Sequence, residues 1–145
     1  RPAAHVMGRI ESKEFRNTLR WESHVGLAFT SGGVAYRPAD GALQVNETGL
    51  YHVYSRVELI FMDCSPTSSF VHSVFVRRAG RPSPVKLMEA HRAGFCPQQA
   101  GNAWTTESYL GSALQLQKSD RVLVDISHPF YLSHAHYANF FGLYK

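Results

Sequence analysis

Apolar residues in this 145-residue chain almost never recur at helical spacing. They come in short runs rich in Val, Tyr, Phe, Leu and Thr, each broken by Gly, Pro, Asn or Asp. That pattern specifies sheet rather than helix. Runs that read as strands cover residues 3–7, 19–21, 25–30, 34–37, 42–45, 49–61, 70–77, 85–91, 105–117, 121–127 and 138–145. Turn signals separate many of them: Ser31-Gly32-Gly33, Ala39-Asp40-Gly41, Glu47-Thr48-Gly49, Ala79-Gly80-Arg81-Pro82 and Ser119-Asp120. Many short strands at this spacing predict an all-β sandwich or jelly roll, not a βαβ sheet. The length suits one domain over residues 1–145, and 44% hydrophobic with 18% charged residues lies far from disordered composition. No apolar run approaches the ~18 residues of a membrane-spanning helix. Because the chain opens Arg1-Pro2, with no signal peptide, it reads as an excised soluble domain whose leader, stalk or anchor lies elsewhere.

The longest run shows how two faces divide. In residues 50–59, Tyr51, Val53, Ser55, Val57 and Leu59 point one way, while His52, Tyr54, Arg56 and Glu58 point the other. Tyr109, Gly111 and Ala113 likewise oppose Leu110, Ser112 and Leu114, and Phe140, Gly142 and Tyr144 oppose Phe141 and Leu143. One set is an ordinary sandwich core. The other carries Tyr54, Tyr109, Phe140 and Tyr144, an aromatic patch that a monomer seldom exposes, so the chain is expected to associate with itself.

Cys64 and Cys96, the two cysteines, flank the hairpin of residues 70–91. Cysteines in loops of such a fold suggest an oxidising compartment and one disulfide, worth roughly 3–4 kcal/mol on the chain-entropy account; two unpaired thiols are the alternative. Asn46-Glu47-Thr48 is the sole N-x-[ST] sequon, and its place at a turn makes Asn46 a candidate glycan acceptor. No nucleophile elbow, P-loop, zinc-protease helix motif or dinucleotide fingerprint occurs, and no two carboxylates are placed for acid–base work, so neither catalysis nor a cofactor is expected. His134 and His136, with His128 in the same loop, make a candidate metal half-site, but no carboxylate or cysteine in that loop completes it. Arg77, Arg78 and Arg81 in a Gly/Pro turn suit an acidic partner or a glycosaminoglycan. The net charge of +4 is too scattered for a nucleic-acid surface.

Three segments, Asn46–Val57 (NETGLYHVYSRV), Ser108–Gly111 (SYLG) and Phe140–Lys145 (FFGLYK), resemble the tumour necrosis factor ligand superfamily. Ala3-Ala4-His5-Val6 and Trp21-Glu22 ahead of Gly26-Leu27-Ala28-Phe29 fall in that family's order, so the resemblance covers essentially the whole chain. NETGLY, SYLG and FFGLYK look most like the Fas-ligand branch, whereas PAAHV, WES followed by GLAF, and DGAL look more like the LIGHT branch. The resemblance implies a jelly-roll protomer in a homotrimer, the extracellular end of a type II membrane protein that is shed in some relatives. His52, Tyr54, Arg56, Tyr109, Gly111, Phe140 and Tyr144 then become trimer contacts. A histidine at such an interface resists charging, so weaker trimers are expected at mildly acidic pH.

The resemblance further implies partners among cysteine-rich receptor ectodomains, Fas-like, LIGHT-receptor-like or decoy, bound between adjacent subunits. The matching segments are residues 8–20, the Cys64 loop, and residues 78–84, 95–102 and 128–139. Relatives often place a tyrosine before a proline in the hairpin turn, but here the pair is Arg81-Pro82. Receptor contacts are therefore expected at Arg77, Arg78, Arg81 and Pro82 by electrostatics, and at Phe130, Tyr131, His134, His136 and Tyr137 by anchoring. Two other readings stand beside the death-type cytokine: a LIGHT-like or TL1A-like co-stimulatory ligand, and a trimeric C1q-like or lectin-like recognition domain.

Overall fold

The computed structural model describes residues 1–9, 16–62, 67–94, 96 and 104–145. Its strands are β1 (Ala3–Gly8), β2 (Trp21–Glu22), β3 (Phe29–Ser31), β4 (Ala35–Arg37), β5 (Ala42–Gln44), β6 (Gly49–Phe61), β7 (Ser69–Arg77), β8 (Val85–Ala93), β9 (Trp104–Leu116), β10 (Arg121–Ile126) and β11 (Phe140–Tyr144). The one helical turn among the described residues is a 3-10 turn at Pro129–Tyr131. The first sheet runs β2-β1-β11-β6-β9 with β3 also paired to β1, and the second runs β4-β5-β10-β7-β8. Every pairing is antiparallel, and strands far apart in sequence lie side by side, as in a jelly roll.

The alternation in β6 sets the layer arrangement. Tyr51, Val53, Ser55, Val57 and Leu59 are all fully buried, and their neighbours lie half-exposed on the other face. Phe141 and Leu143 of β11, with Val6 of β1, extend that inner face. They meet Leu43, Phe70, Val74, Val76, Val122, Val124 and Ile126 from the second sheet in one continuous core. A polar seam crosses this core. His72 of β7 is fully buried, with Nδ1 2.9 Å from Ser108 Oγ on β9 and Nε2 3.1 Å from Ser55 Oγ on β6. Burial pushes its pKa down to about 4, so the ring is neutral and bridges the sheets through both nitrogens.

All strands but one lie within two residues of the expected bounds, and the exception has a clear reason. The expected strand over 25–30 shrinks to Phe29–Ser31, because Gly26 takes a left-handed φ of 65° and the Ala28 amide turns back to the Val25 carbonyl. Val25 and Leu27 are consequently exposed rather than paired. Residues 17–19 run along the second sheet before β2 begins. The Leu19 amide bonds the Val124 carbonyl, and the Asn17 carbonyl accepts from Ile126. This stretch thus borders the half of β10 that β5 leaves unpaired. Cys96 is buried and disulfide-bonded; Cys64, the remaining cysteine, lies outside the described residues, as do most of 95–102 and part of 8–20.

Candidate functional site: an aromatic sheet face and the loops at its ends

Register across the first sheet assembles the aromatic face. His5, Gly142, Tyr54 and Gly111 form one row across β1, β11, β6 and β9. Tyr144, His52 and Ala113 form the row on one side of it, and Phe140, Arg56 and Tyr109 the row on the other. The glycines make room for rings. A Cβ on Gly142 would lie 2.2 Å from Tyr54 Oη, so the tyrosine can lie across β11 only because residue 142 has no side chain. There the Tyr54 hydroxyl reaches His5 Nδ1 at 2.6 Å. Tyr109 folds over Gly111 in the same manner.

The rings are contiguous. His52 lies 5.2 Å from Tyr144 and 6.0 Å from Tyr54, while His5 lies 5.7 Å from Tyr54 and 5.4 Å from Phe140. Burial, with smaller contributions from Tyr109 and Tyr144, raises the Tyr54 pKa to about 12, and burial lowers that of His5. The expected face residues His52, Tyr54, Arg56, Tyr109, Gly111, Phe140 and Tyr144 therefore share one surface. His5 completes it. Nothing in AAHV marks the His5 side chain as facing Tyr54, 49 residues away, so the sequence alone does not place it here.

Arg56 sits at the rim of this face and is already committed. It donates to the Ala138 carbonyl at 2.7 Å and pairs with Glu107 of β9. Beside it, Asn139 organises the loop between the 3-10 turn and β11. Its side-chain amide donates to the Ser133 carbonyl (3.0 Å) and the Ala135 carbonyl (3.3 Å), and its Oδ1 accepts from the Glu58 amide (2.8 Å). Its own carbonyl accepts from the Gly8 amide. Asn139 also escaped the sequence reading, since an Asn ahead of a strand signals a turn without naming its partners.

The candidate contact residues fall into bracing and exposed groups. Tyr131 is half-buried and stacks on Phe61 at 4.5 Å, and His136 donates from Nδ1 to the Gly8 carbonyl at 2.9 Å. The buried Nε2 of His136 lies beside Gly26. Both side chains thus brace the loop. Phe130 and Tyr137, at 67% and 73% exposure, project from it, and His134 is exposed between them. In the β7–β8 turn Arg78 is half-buried with Nε 3.7 Å from the buried Asp120 carboxylate, while Arg77, Arg81 and Pro82 are exposed. The turn and the loop do not form one site. Arg77 pairs with Arg121 at the start of β10, whereas the loop leaves from the strand's other end, roughly 17 Å away.

The histidine loop does not gather metal ligands, and among the described residues no group of three or more His, Cys, Asp or Glu side chains could hold an ion. Asn46 is exposed ahead of β6. Among the described residues no helix is long and apolar enough to cross a membrane.

A family model described as TNF (Tumour Necrosis Factor) matches residues 19–145. The chain is 37% identical over 145 residues to tumor necrosis factor ligand superfamily member 6 of Mus musculus, covering all of this chain and 49% of that protein. It is 35% identical over 147 residues to the Homo sapiens member 6, with the same coverage. Tumor necrosis factor of Lama glama is 29% identical over 140 residues, which span 93% of this chain and 58% of that protein. The chain therefore spans about half the length of the member 6 relatives it matches.

Proposed function

Because the chain belongs to the tumour necrosis factor ligand family, we propose that it is the receptor-binding part of a homotrimeric cytokine that clusters cysteine-rich receptor ectodomains. The observation that carries this reading is the contiguous aromatic face of the first sheet. Rings of that number, set by glycines and left half-exposed on one protomer, call for burial against further copies. Three copies packed through that face leave three grooves between neighbours. Binding in linked grooves raises apparent affinity by roughly 10²–10⁴ where geometry allows, and brings the receptors' tails together without any catalysis.

The Fas-ligand branch is favoured, since member 6 proteins of mouse and human match along the whole chain at 37% and 35% identity. That makes a Fas-like death receptor the first partner to test, and a LIGHT-type co-stimulatory receptor the second. The site of action is the cell surface or the space outside it, with the membrane anchor beyond these residues. Arg81 at one end of the groove, with Phe130 and Tyr137 at the other, are exposed contact side chains. Arg78, Tyr131 and His136 support them. The test is titration of both receptor classes against Arg81→Ala and Tyr137→Ala. Each is expected to weaken a true receptor, Arg81→Ala more at low salt and Tyr137→Ala independently of salt. Two variants that bind like the parent would refute the site.

A further inference from the structure

The outer face of the second sheet carries a line of arginines that neither the core nor the aromatic face uses. Strand register draws it. Arg121 on β10 stands opposite Arg77 on β7 and, on its other side, opposite Gln44 on β5. Arg37 on β4 leans over the same row, donating from Nε to Gln44 Oε1 at 2.7 Å. Like charges facing across an antiparallel pair cost stability. Here the cost is only partly relieved, because Arg121 bonds Asp40 Oδ2 at 3.0 Å while Arg37 and Arg77 have no carboxylate partner among the described residues. Positive charge therefore stays open to solvent along roughly 14 Å, three strand spacings.

The chemistry of the strip narrows its partner. None of the exposed large apolar side chains lies on β4, β5, β7 or β10, so the strip lacks the anchor that a protein partner needs. What it offers is guanidinium forks, which take tetrahedral oxyanions in bidentate fashion and hold their charge at any physiological pH. Flatness and a linear layout suit a linear polyanion. We infer that Arg37, Arg121 and Arg77 form a docking strip for a sulfated polysaccharide, bound through its sulfate groups across the strands. The inference rests on the trimer reading in one respect: burial of the first sheet's outer face leaves this strip outward on every protomer.

Heparin–agarose eluted with a sodium chloride gradient tests it on the whole chain. Arg37→Ser with Arg121→Ser is the strip variant. Arg37→Ser with Arg77→Ser is a second, leaving the Asp40 ion pair intact. Lys86→Ser with Arg92→Ser removes the same charge from β8 as the control. Parent and control are expected to elute together, and both strip variants earlier. The slope of log affinity against log salt should be shallower by about two for the strip variants. Equal shifts in all three variants would overturn the strip in favour of net charge alone. Retention of the parent on polyglutamate–agarose as strong as on heparin would overturn it in favour of an acidic protein segment. Light scattering on the same samples separates the two readings. A monomeric parent with the differential elution removes the trimer and keeps the strip, whereas a trimer without it removes the strip.

Discussion

A neutral imidazole sealed between two sheets ties stability to pH. His72 keeps its ring buried with a serine hydroxyl on each nitrogen, and burial holds its pKa at about 4 against 6.5 for the unfolded chain. Between those values the unfolded state takes up a proton that the folded state refuses. The stabilisation is complete above pH 6.5, declines as pH falls, and is fully lost below about pH 4, a difference of about 3 kcal/mol. His72→Gln retains polar groups for both serines but does not titrate. Urea denaturation of the two proteins from neutral to acid pH should therefore show the parent losing stability faster. Parallel curves would remove His72 as the cause. Gly142 and Arg78 make a related point at this scale. A sequence shows a glycine or an arginine, but whether it clears space for Tyr54 or is held by Asp120 depends on residues distant in the chain.

At the scale of elements, the segment from Ser133 to Asn139 joins the 3-10 turn to β11 and presents Tyr137. Asn139 holds it by bonding Ser133, Ala135 and Glu58 at once while buried. Asn139→Ala leaves the Glu58 amide and two loop carbonyls without those partners, a cost of about 2–3 kcal/mol. The loop should loosen before the sheets do. Hydrogen exchange at Glu58 and Gly8 checks this, since both amides bond Asn139. Unchanged protection would place the anchor elsewhere. The strands themselves were largely legible. β6 alternates over thirteen residues, and such a run leaves one choice of core face. Residues 25–30 misled because their apolar alternation competes with a left-handed Gly26, and no sheet edge lies alongside until Phe29 reaches His5. The loop was legible as a loop but not in its division of labour. Tyr131 and Tyr137 read alike, but Phe61 turns one into a brace while the other packs edge-on against His136 and stays exposed.

At the scale of the whole molecule, the trimer proposed above couples association to protonation through His5. Its pKa is already lowered by burial in one protomer, and its Nδ1 meets the Tyr54 hydroxyl, which can donate only while that nitrogen carries no proton. His52, Tyr54, Phe140 and Tyr144 surround the site, with Arg56 and Glu107 at the rim. Covering this face with two further copies removes more water and adds no new counter-charge from the ring cluster itself. The assembled state therefore binds fewer protons than free protomers do. By linkage the trimer is at full strength above the protomer's histidine range and weakens as pH falls through it. Sedimentation at about pH 7.5 and about pH 5.5 should show dissociation only in acid. His5→Gln should flatten that response while leaving Tyr54 an acceptor. His52→Phe should preserve it if His5 is the coupled group. Equal trimer stability at both pH values would show that the histidines of this face stay hydrated in the assembly, and would confine acid sensitivity to His72 within each protomer.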